Sequence, residues 1–387
     1  MYNRSIQDAL EDVMRQYPVV TITGPRQSGK TTLVKTNYPN KPYFSLENPD
    51  VCAMISADPR QFLNNIDLKK GVVLDEVHKY PELLSYIQGI VDENRISGSF
   101  ILTGSHHFQL TAAITQSLAG RTAILELLPL SLNELKQAYS VDEYLLQGFF
   151  PAIYQYEMDP VVYARNYIKT YLERDVRQVI NIQDLQAFQR LLKLCAGCIG
   201  STINRESLSS DVGISQNTIK KWIEVLDTSY ITFQLKPYFE NLGKRIIKAP
   251  KLYFTDVGLA SYLLEIRSTD QLNIDKMRGN LFENMIILEI IKHQYNQGKD
   301  IDIYFYRDSH QNEVDVILPR NNKLIPIEIK STATFNAALL KNIQSFQKLV
   351  GDRAPLGYLI YSGDMEPRIG KIQVLNFKNT YKIFHGD

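Results

Sequence analysis

The chain has 387 residues, a net charge of +1 and 44% hydrophobic residues, which is enough for two or three globular domains with cores of their own. The near-neutral charge excludes a protein that binds nucleic acid through its overall field, so any such surface must be a local patch. Three cysteines are too few for a disulfide framework and are typical of the reducing cytoplasm. No apolar run approaches the ~18 to 20 residues that cross a bilayer, and residues 1–18 predict a polar amphipathic helix without a signal-peptide core. We therefore expect a cytoplasmic protein without a membrane partner.

The stretch TITGPRQSGKTTLV, residues 21–34, contains the pattern GxxxxGK[ST] between an apolar strand and a helix. Its two glycines let the backbone curl so that successive N–H groups point at an anion, and the helix dipole adds positive potential. The pattern predicts a phosphate-binding loop in which Lys30 reaches the β- and γ-phosphates of a nucleotide and Thr31 offers its hydroxyl to Mg²⁺. The alternative is a glycine-rich turn that binds nothing. The predicted loop residues are Gly24, Pro25, Arg26, Gln27, Ser28, Gly29, Lys30, Thr31 and Thr32.

The next apolar run, GVVLDEVHKYP at residues 71–81, predicts a buried parallel strand that ends in two acids. Ligands of parallel sheets bind at the carboxyl ends of the strands. We expect Asp75 to hold Mg²⁺ through water, and Glu76 to orient or deprotonate the attacking water. Such a strand end is usually only solvated when it stands alone, but the phosphate loop favours the functional interpretation.

A third predicted strand, SFILTGSHH at residues 99–107, ends in polar residues. The order GPRQSGKT, LDEVHKYP, LTGS, SLAGR and ELLPLS resembles the AAA-type P-loop ATPases of bacteria and archaea whose C-terminal half was long described as a domain of unknown function. The stretches YLERDV (171–176), KLYFTDVGLASYLL (251–264) and RGNLFENMIILEI (278–290) are similar to the second half of that family. The resemblance thus covers nearly the whole chain.

The resemblance implies that ATP is bound with Mg²⁺ and that Thr103 or Ser105 senses the γ-phosphate. Arg121 stands at the GR position of the family, where it would act as a sensor or, in a homo-oligomer, as a finger that reaches a neighbouring copy. An arginine finger is worth about 10³ to 10⁵ in rate. The alternative for Arg121 is a structural arginine that caps a strand.

The pair of cysteines in CAGC, residues 195–198, has the spacing of a zinc or redox motif. It lies in the apolar helical stretch LLKLCAGCIGS, and no second CxxC or nearby histidine completes a tetrahedral site. We therefore interpret Cys195 and Cys198 as small helix residues.

Residues 156–200 show helical spacing, and residues 204–238 predict a helix-turn-helix followed by the hairpin of a winged helix. In a DNA-binding interpretation, exposed side chains of the second helix would face a groove: Gln216, Asn217, Lys220 and Lys221. The segment LGKRIIKAPK would add phosphate contacts through Lys244, Arg245, Lys248 and Lys251. The alternatives are a winged helix that packs against other domains or proteins, and a solvated basic turn.

The last predicted domain alternates strands and helices, with a hairpin turn at RNN within EVDVILPRNNKLIPIEIKS. In the second strand of the hairpin, Glu328 and Lys330 share the face opposite three isoleucines, and Asp315 stands on the partner strand. This resembles the PD-(D/E)xK nuclease core, in which an acid on one strand and ExK on the next hold a divalent metal and activate water. Glu283 matches the glutamate that often joins them from the preceding helix.

The predicted fold class is α/β: a P-loop NTPase parallel sheet, followed by a winged-helix unit and a PD-(D/E)xK nuclease-like α/β domain. The predicted boundaries are 1–155 for the AAA-type ATPase domain, 156–245 for the helical linker and winged helix, and 246–387 for the nuclease-like domain. Two functions compete. In the first, ATP hydrolysis drives action on nucleic acid. In the second, the chain is a nucleotide-dependent switch whose C-terminal half binds DNA or a protein partner without catalysis.

Overall fold

The structure is a computed structural model that describes all residues except 1, 106–113, 115, 137, 172–183, 239–248, 309–311 and 386–387. The chain folds into two compact units. The first comprises Met1–Leu130, Thr228–Tyr230 and Gln294–Asp300, and the second comprises Ser131–Asp227, Ile231–His293 and Ile301–Asp387. These units divide the chain differently from the predicted boundaries at 155 and 245, because residues 131–155 belong to the same unit as most of the C-terminal part of the chain. The three-domain division stays a prediction.

The first unit is built on a five-stranded parallel sheet with the strand order β2-β3-β4-β1-β5. Its strands are β1 (Val19–Thr23), β2 (Tyr43–Ser45), β3 (Val72–Asp75), β4 (Phe100–Gly104) and β5 (Thr122–Glu126). Its helices are α1 (Gln7–Gln16), α2 (Lys30–Asn37), α3 (Pro49–Ala57), α4 (Pro59–Asn64) and α5 (Leu83–Glu93). The three strands predicted from the sequence are therefore β1, β3 and β4, and all their carboxyl ends meet at one edge of the sheet.

Both faces of this sheet are buried, as a parallel sheet with helical crossovers requires. Successive residues of a strand point to opposite faces, so Val19 joins the core layer beneath α3, α4 and α5, whereas Val20 joins the layer beneath α1 and α2. The same alternation places Leu102 in the first layer and Ile101 in the second. The near-continuous apolar runs of the sequence thus fill two cores at once.

The second unit begins with short helices and contains a helix-turn-helix. Its first helices are α6 (Leu132–Leu135), α7 (Val141–Gln147), α8 (Pro151–Gln155), α9 (Pro160–Tyr171), α10 (Leu185–Gly197), α11 (Arg205–Val212) and α12 (Gln216–Thr228). Helix α11 ends at Gly213, which has a left-handed φ of +83° and makes the turn toward α12. Strands β6 (Thr232–Leu235) and β7 (Lys251–Phe254) then pair antiparallel. The stretch YLERDV lies outside the described residues except for Tyr171.

A six-stranded mixed sheet forms the rest of the second unit, with the order β12-β13-β11-β10-β9-β8. Its strands are β8 (Tyr304–Arg307), β9 (Glu313–Arg320), β10 (Lys323–Lys330), β11 (Gly357–Tyr361), β12 (Arg368–Ile369) and β13 (Ile372–Asn376), and the helices of this region are α13 (Val257–Leu263), α14 (Thr269–Ile274), α15 (Arg278–Asn296) and α16 (Lys341–Val350). The predicted hairpin is confirmed: β9 and β10 pair antiparallel through a turn in which Asn321 and Asn322 both have positive φ.

The register of this hairpin places the predicted acids beside each other. Ile327 pairs with Val316, so the next positions along the two strands are Glu328 and Asp315. Strand β10 also pairs parallel with β11, which buries β10 in the middle of the sheet. Among the described residues, every helix is too short or too polar to span a lipid bilayer.

Candidate functional site

The phosphate loop lies between β1 and α2, where the sequence predicts it. Its backbone is left-handed at Gly24, Gln27 and Gly29, with φ of +143°, +59° and +98°. A Cβ at Gly24 would lie 2.2 Å from the carbonyl oxygen of Leu127, closer than any side chain can approach. A glycine is therefore required at this position for both conformation and space. Of the other predicted loop residues, Pro25, Ser28 and Lys30 are buried, Arg26, Gly29 and Thr31 are half-buried, and Gln27 and Thr32 are exposed.

Lys30 opens α2 with its ammonium directed back into the loop. Its Nζ donates hydrogen bonds to the carbonyl oxygens of Gly24 at 2.9 Å and Pro25 at 2.7 Å. Burial lowers the pKa of Lys30 to about 8, against the opposing effect of the negative charges on Glu76 and Asp75. The loop thus contains a buried ammonium that is bonded to two of the loop's own carbonyl oxygens.

The Asp75 carboxylate accepts hydrogen bonds from three hydroxyl groups. Its Oδ2 accepts a hydrogen bond of 2.9 Å from Thr31 Oγ1 and a further one from the Tyr43 hydroxyl, and its Oδ1 accepts one from the Thr103 hydroxyl. The carboxylate is buried, so these donors replace the water that it would otherwise bind. The pairing of Asp75 with Thr31 places the two predicted Mg²⁺ ligands in direct contact.

Glu76 adopts a left-handed backbone conformation, with φ of +58° and ψ of +47°, which is unusual for a residue with a side chain. Its carboxylate accepts hydrogen bonds from Ser105, at 3.2 Å from the backbone N and 3.1 Å from Oγ, and lies 3.0 Å from His78 Nδ1. Burial alone would raise the pKa of Glu76, but the hydrogen bond with His78 and the charge of Lys30 outweigh it and lower the pKa to about 2. Glu76 is therefore ionised at neutral pH.

The strand order explains why Thr103 and Ser105 reach both acids. Strand β4 lies between β1, which carries the phosphate loop, and β3, which carries the acids. Besides its bond to Asp75, the Thr103 hydroxyl accepts a hydrogen bond of 3.3 Å from the backbone N of Glu76. Both candidate sensors therefore lie within the acid cluster.

Arg121 lies at the other end of the sheet. Its carbonyl oxygen accepts a hydrogen bond from the backbone N of Val19, at the start of β1, and five strand residues span roughly 16 Å. Its guanidinium binds both carboxylate oxygens of Asp92, at 2.6 and 2.9 Å. The side chain is thus bound to Asp92, away from the loop of its own chain. The role of Arg121 as a sensor or as a finger stays a prediction.

Sequence reasoning missed Tyr43 and did not assign a role to His78. Tyr43 begins β2, and no local pattern shows that this strand lies next to β3. His78 follows Glu76 closely within LDEVHKYP. This position just after the two acids is the feature of the sequence that indicates a place in the site.

A second polar cluster, in the second unit, brings together the residues predicted for a nuclease-like site. Lys330 Nζ lies 3.3 Å from Asp315 Oδ2 and 2.7 Å from Glu328 Oε1. The backbone N of Ile329 donates to Asp315 Oδ2 at 2.8 Å, and Asn342 Nδ2 donates to Glu328 Oε1 at 2.8 Å. One lysine therefore bridges the two strand carboxylates of the hairpin.

Glu328 retains one carboxylate oxygen without a partner. Its side chain is 1% exposed, and its buried Oε2 has no hydrogen bond. Burial and the negative charge of Asp315 raise the pKa of Glu328 to about 8, although Lys330 and Asn342 oppose this rise. In the part of the chain that is described, no three histidine, cysteine or carboxylate groups are close enough to hold a metal ion together. Any cation at this cluster would bind through two carboxylates and water.

Glu283 lies on α15, as predicted, and interacts with Lys251. The sequence predicts a different role for Lys251, as a contact to nucleic-acid phosphates. Glu283 Oε1 accepts hydrogen bonds from Tyr253, at 2.5 Å, and from Lys251 Nζ, at 3.3 Å. Lys251 also lies 2.5 Å from Glu313 Oε1 and is 2% exposed. The prediction that Lys251 contacts nucleic-acid phosphates is wrong, because its ammonium is buried between two carboxylates.

The second helix of the helix-turn-helix, α12, presents the predicted polar face. Ile219, Trp222 and Leu226 are buried, whereas the predicted DNA-facing side chains are exposed: Gln216, Asn217, Lys220 and Lys221. The basic residues Lys244, Arg245 and Lys248 lie outside the described residues. DNA binding by this face stays a prediction.

The cysteines of CAGC lie at the end of α10 as free thiols. Cys195 is buried and Cys198 is half-buried, and burial raises the pKa of both thiols. A raised pKa leaves little thiolate at neutral pH, which fits the interpretation of small structural residues.

Comparisons with known proteins divide the chain into three segments. Residues 16–136 match the family model described as AAA domain, residues 138–270 match a domain of unknown function (DUF8612), and residues 278–380 match another (DUF4143). An uncharacterized protein of Mycobacterium tuberculosis (strain ATCC 25618 / H37Rv) is 28% identical over 329 residues, covering 84% of this chain and 73% of the relative. An uncharacterized protein of Haemophilus influenzae is 21% identical over 343 residues, covering 80% and 82%.

Solved structures that align with the chain include a Walker-type ATPase of Pyrococcus abyssi, with 14% identity, a TM-score of 0.48 and coverage of 68% of this chain and 96% of that one. AMPPCP-bound DnaA from Aquifex aeolicus aligns with 12% identity, a TM-score of 0.25 and coverage of 57% and 85%. The AAA match spans the phosphate loop, both acids and both candidate sensors. Residues 16–136 thus match an AAA domain, and residues 19–126 of this segment contain the five-stranded parallel α/β sheet.

The close approach at the start of the loop makes a testable prediction. Gly24→Ala should weaken nucleotide binding and lower the free energy of unfolding, because the new methyl group would meet the Leu127 oxygen. Gly120→Ala is the matched control: Gly120 also has a positive φ, of +72°, but a Cβ there meets nothing within 4 Å. Urea unfolding and nucleotide titration compare the two. Equal losses of stability and binding would show that the contact with Leu127 does not matter.

Proposed function

We propose that the first unit binds ATP with Mg²⁺ at the phosphate loop and hydrolyses it. The observation that carries the proposal is the direct hydrogen bond between Thr31, on the loop helix, and Asp75, on β3. A loop hydroxyl and a strand carboxylate are the two protein groups that hold the metal in P-loop hydrolases. Here they converge beside an ionised glutamate, which is what hydrolysis rather than binding alone requires.

Nucleotide binding would use the loop backbone and Lys30. The left-handed turns at Gly24 and Gly29 would let N–H groups of the loop face a bound phosphate, at the positive end of the α2 dipole. Lys30 is already inside the loop and donates to two carbonyl oxygens, which phosphate oxygens would replace as acceptors. The negative charge of a phosphate would also stabilise the Lys30 ammonium, which burial has deprived of water.

Magnesium fits the donor set of Thr31 and Asp75, which are oxygen ligands beside a phosphate cradle. When bound, Mg²⁺ would neutralise charge that develops on the β- and γ-phosphates. The Tyr43 and Thr103 hydroxyls hold the Asp75 carboxylate in a fixed orientation, so the acid would not need to rearrange to meet the metal.

Glu76 would act chiefly by orienting the attacking water. A carboxylate with a pKa of about 2 accepts hydrogen bonds well but is a weak base, so proton abstraction in advance of attack is unfavourable. Ser105 and His78 hold the carboxylate in place. Thr103, bonded to Asp75 and to the backbone of Glu76, would transmit the presence of the γ-phosphate to both acids.

Two substitutions separate binding from hydrolysis. Lys30→Ala should weaken ATP binding by about tenfold or more, because a charged hydrogen bond contributes ~1.5 to 3 kcal/mol. Glu76→Gln should retain ATP binding but lower the hydrolysis rate by roughly 10²- to 10⁴-fold. Fluorescent-nucleotide titration and phosphate release measure the two effects. Exposed residues of the same type provide controls, Lys69→Ala and Glu82→Gln. If Glu76→Gln hydrolyses ATP at the wild-type rate, Glu76 does not position the water.

We further propose that ATP hydrolysis is coupled to action on nucleic acid through the second unit. The specific observation is the unpartnered Oε2 of Glu328, which lies in a cluster with Asp315 and Lys330. A buried carboxylate oxygen without a partner is costly, and a bound cation would relieve it. The exposed polar face of α12 supplies a surface for DNA.

The residues of this cluster fit a magnesium ion, which commonly takes one or two carboxylates and several waters. Asp315 and Glu328 would hold it, and when bound it would activate water and neutralise phosphate charge. Lys330 bridges the two acids and would steady negative charge on a phosphodiester. Glu283 forms an ion pair with Lys251. It would join the predicted metal site only by exchanging Lys251 for the metal ion.

The alternative is a nucleotide-dependent switch whose second unit binds DNA or protein without catalysis. It is supported by the internal charge compensation of the cluster, since Lys330 and Lys251 already pair with the four surrounding carboxylates. A site whose negative charge is partly balanced by its own lysines has less need of a metal.

Cleavage assays decide between these functions. The purified chain should cut single- or double-stranded DNA or RNA with Mg²⁺ or Mn²⁺, and Asp315→Ala and Glu328→Gln should each reduce cleavage by at least about 10²-fold, a magnitude typical of losing one catalytic group. Glu265→Gln is the control, since it removes a carboxylate from an exposed ion pair with Lys193. Cleavage that persists in Asp315→Ala would come from a contaminant. Absence of cleavage with and without ATP would support the switch.

A further inference from the structure

An arginine near the start of the chain, Arg4, is hydrogen-bonded to the backbone of the phosphate loop. The guanidinium of Arg4 donates one hydrogen bond to the Ser28 carbonyl oxygen and another to the Leu128 carbonyl oxygen, both at 2.6 Å. Ser28 lies inside the loop, and Leu128 follows β5. One planar guanidinium therefore ties the later part of the loop to the neighbouring chain segment. Both acceptors are backbone atoms, so the contact fixes the loop itself rather than a side chain.

The start of the loop is held by a tyrosine from much later in the chain. The hydroxyl of Tyr230 lies 3.0 Å from Oγ1 of Thr23, the last residue of β1 before Gly24. Tyr230 is buried and has a φ of +56°, a conformation that costs free energy in a residue other than glycine. It belongs to the first compact unit, although it follows α12. A strained backbone that brings a buried hydroxyl to the residue just before the loop indicates a specific role for that hydroxyl.

Glu126 interacts with Tyr230 and with Tyr295. It is opposite Thr23 in the pairing of β1 with β5. Burial raises the pKa of both Tyr230 and Tyr295, and the charge of Glu126 and hydrogen bonds to its carboxylate raise them further. Both phenols are therefore protonated donors at neutral pH, and the Glu126 carboxylate is their shared acceptor.

We propose that Arg4 and Tyr230 are positioning residues of the ATP site, which fix the two ends of the phosphate loop so that its N–H groups are already arranged for phosphate. Both residues lie outside the segment 16–136 that matches the AAA domain. The matched segment therefore lacks part of the support of its own phosphate loop, which residues 1–15 and 228–230 supply. The proposal rests on ATP binding at this loop, but it concerns side chains that do not touch the nucleotide.

The test uses the full chain and Mg²⁺·ADP, titrated by calorimetry. Arg4→Met and Tyr230→Phe should each raise the Kd for ADP about tenfold, equivalent to ~1.4 kcal/mol of binding free energy. Steady-state hydrolysis should show a higher KM with kcat changed by less than about twofold, because a loop that is not preorganised weakens ground-state and transition-state binding together. The Kd of Arg4→Lys should lie between those of the wild type and Arg4→Met, since an ammonium lacks the planar fork that reaches both carbonyl groups.

Matched controls distinguish this role from general stability. Arg15→Met removes an exposed arginine that pairs with Glu11, and Tyr154→Phe removes a buried hydroxyl that donates to the Gly148 carbonyl oxygen. Neither should change the Kd for ADP. An unchanged Kd in folded Arg4→Met and Tyr230→Phe would overturn the proposal, as would lower unfolding temperatures without a change in Kd or KM. Failure of the wild-type chain to bind ADP would instead contradict the ATP site itself.

Discussion

The first unit depends on a single buried carboxylate. Asp75 accepts hydrogen bonds from Thr31, Tyr43 and Thr103, which come from the loop helix and from the strands on either side of β3. A buried charge is costly unless donors replace its water, so these three hydroxyls must be in place for the sheet edge to be stable. The same requirement brings the loop, β4 and the acids into one site. The stability of the sheet edge and the geometry of the candidate site therefore have a common origin.

The sequence predicted the parts of this site that local chemistry determines. The glycines of the loop are needed for left-handed turns and close backbone approach, and these requirements are visible in a short motif. The acids could be assigned because they follow an apolar strand. Tyr43, Arg4 and Tyr230 could not be assigned, since their roles depend on strand order and on contacts between distant parts of the chain.

The same limit on prediction from sequence applies to the second unit. The β9–β10 hairpin was predictable because alternating apolar residues and two turn-forming asparagines specify both register and facing. The association of Asp315 with Glu328 and Lys330 is a consequence of that register. Lys251 was interpreted as part of an exposed basic run, yet burial between Glu283 and Glu313 makes it an internal counter-ion. Charge patterns alone do not reveal such pairing, because a buried lysine and a solvated one look alike in sequence.

The central claim is that Thr31 and Asp75 together hold the metal that accompanies ATP. Electron paramagnetic resonance of Mn²⁺, titrated into the full chain with and without ATP, tests this directly because free and bound Mn²⁺ give different signals. The account predicts Mn²⁺ binding that requires ATP and is lost in Asp75→Asn, whose side chain keeps the shape of the carboxylate but not its charge. Equal ATP-dependent Mn²⁺ binding by Asp75→Asn and the wild-type chain would contradict it.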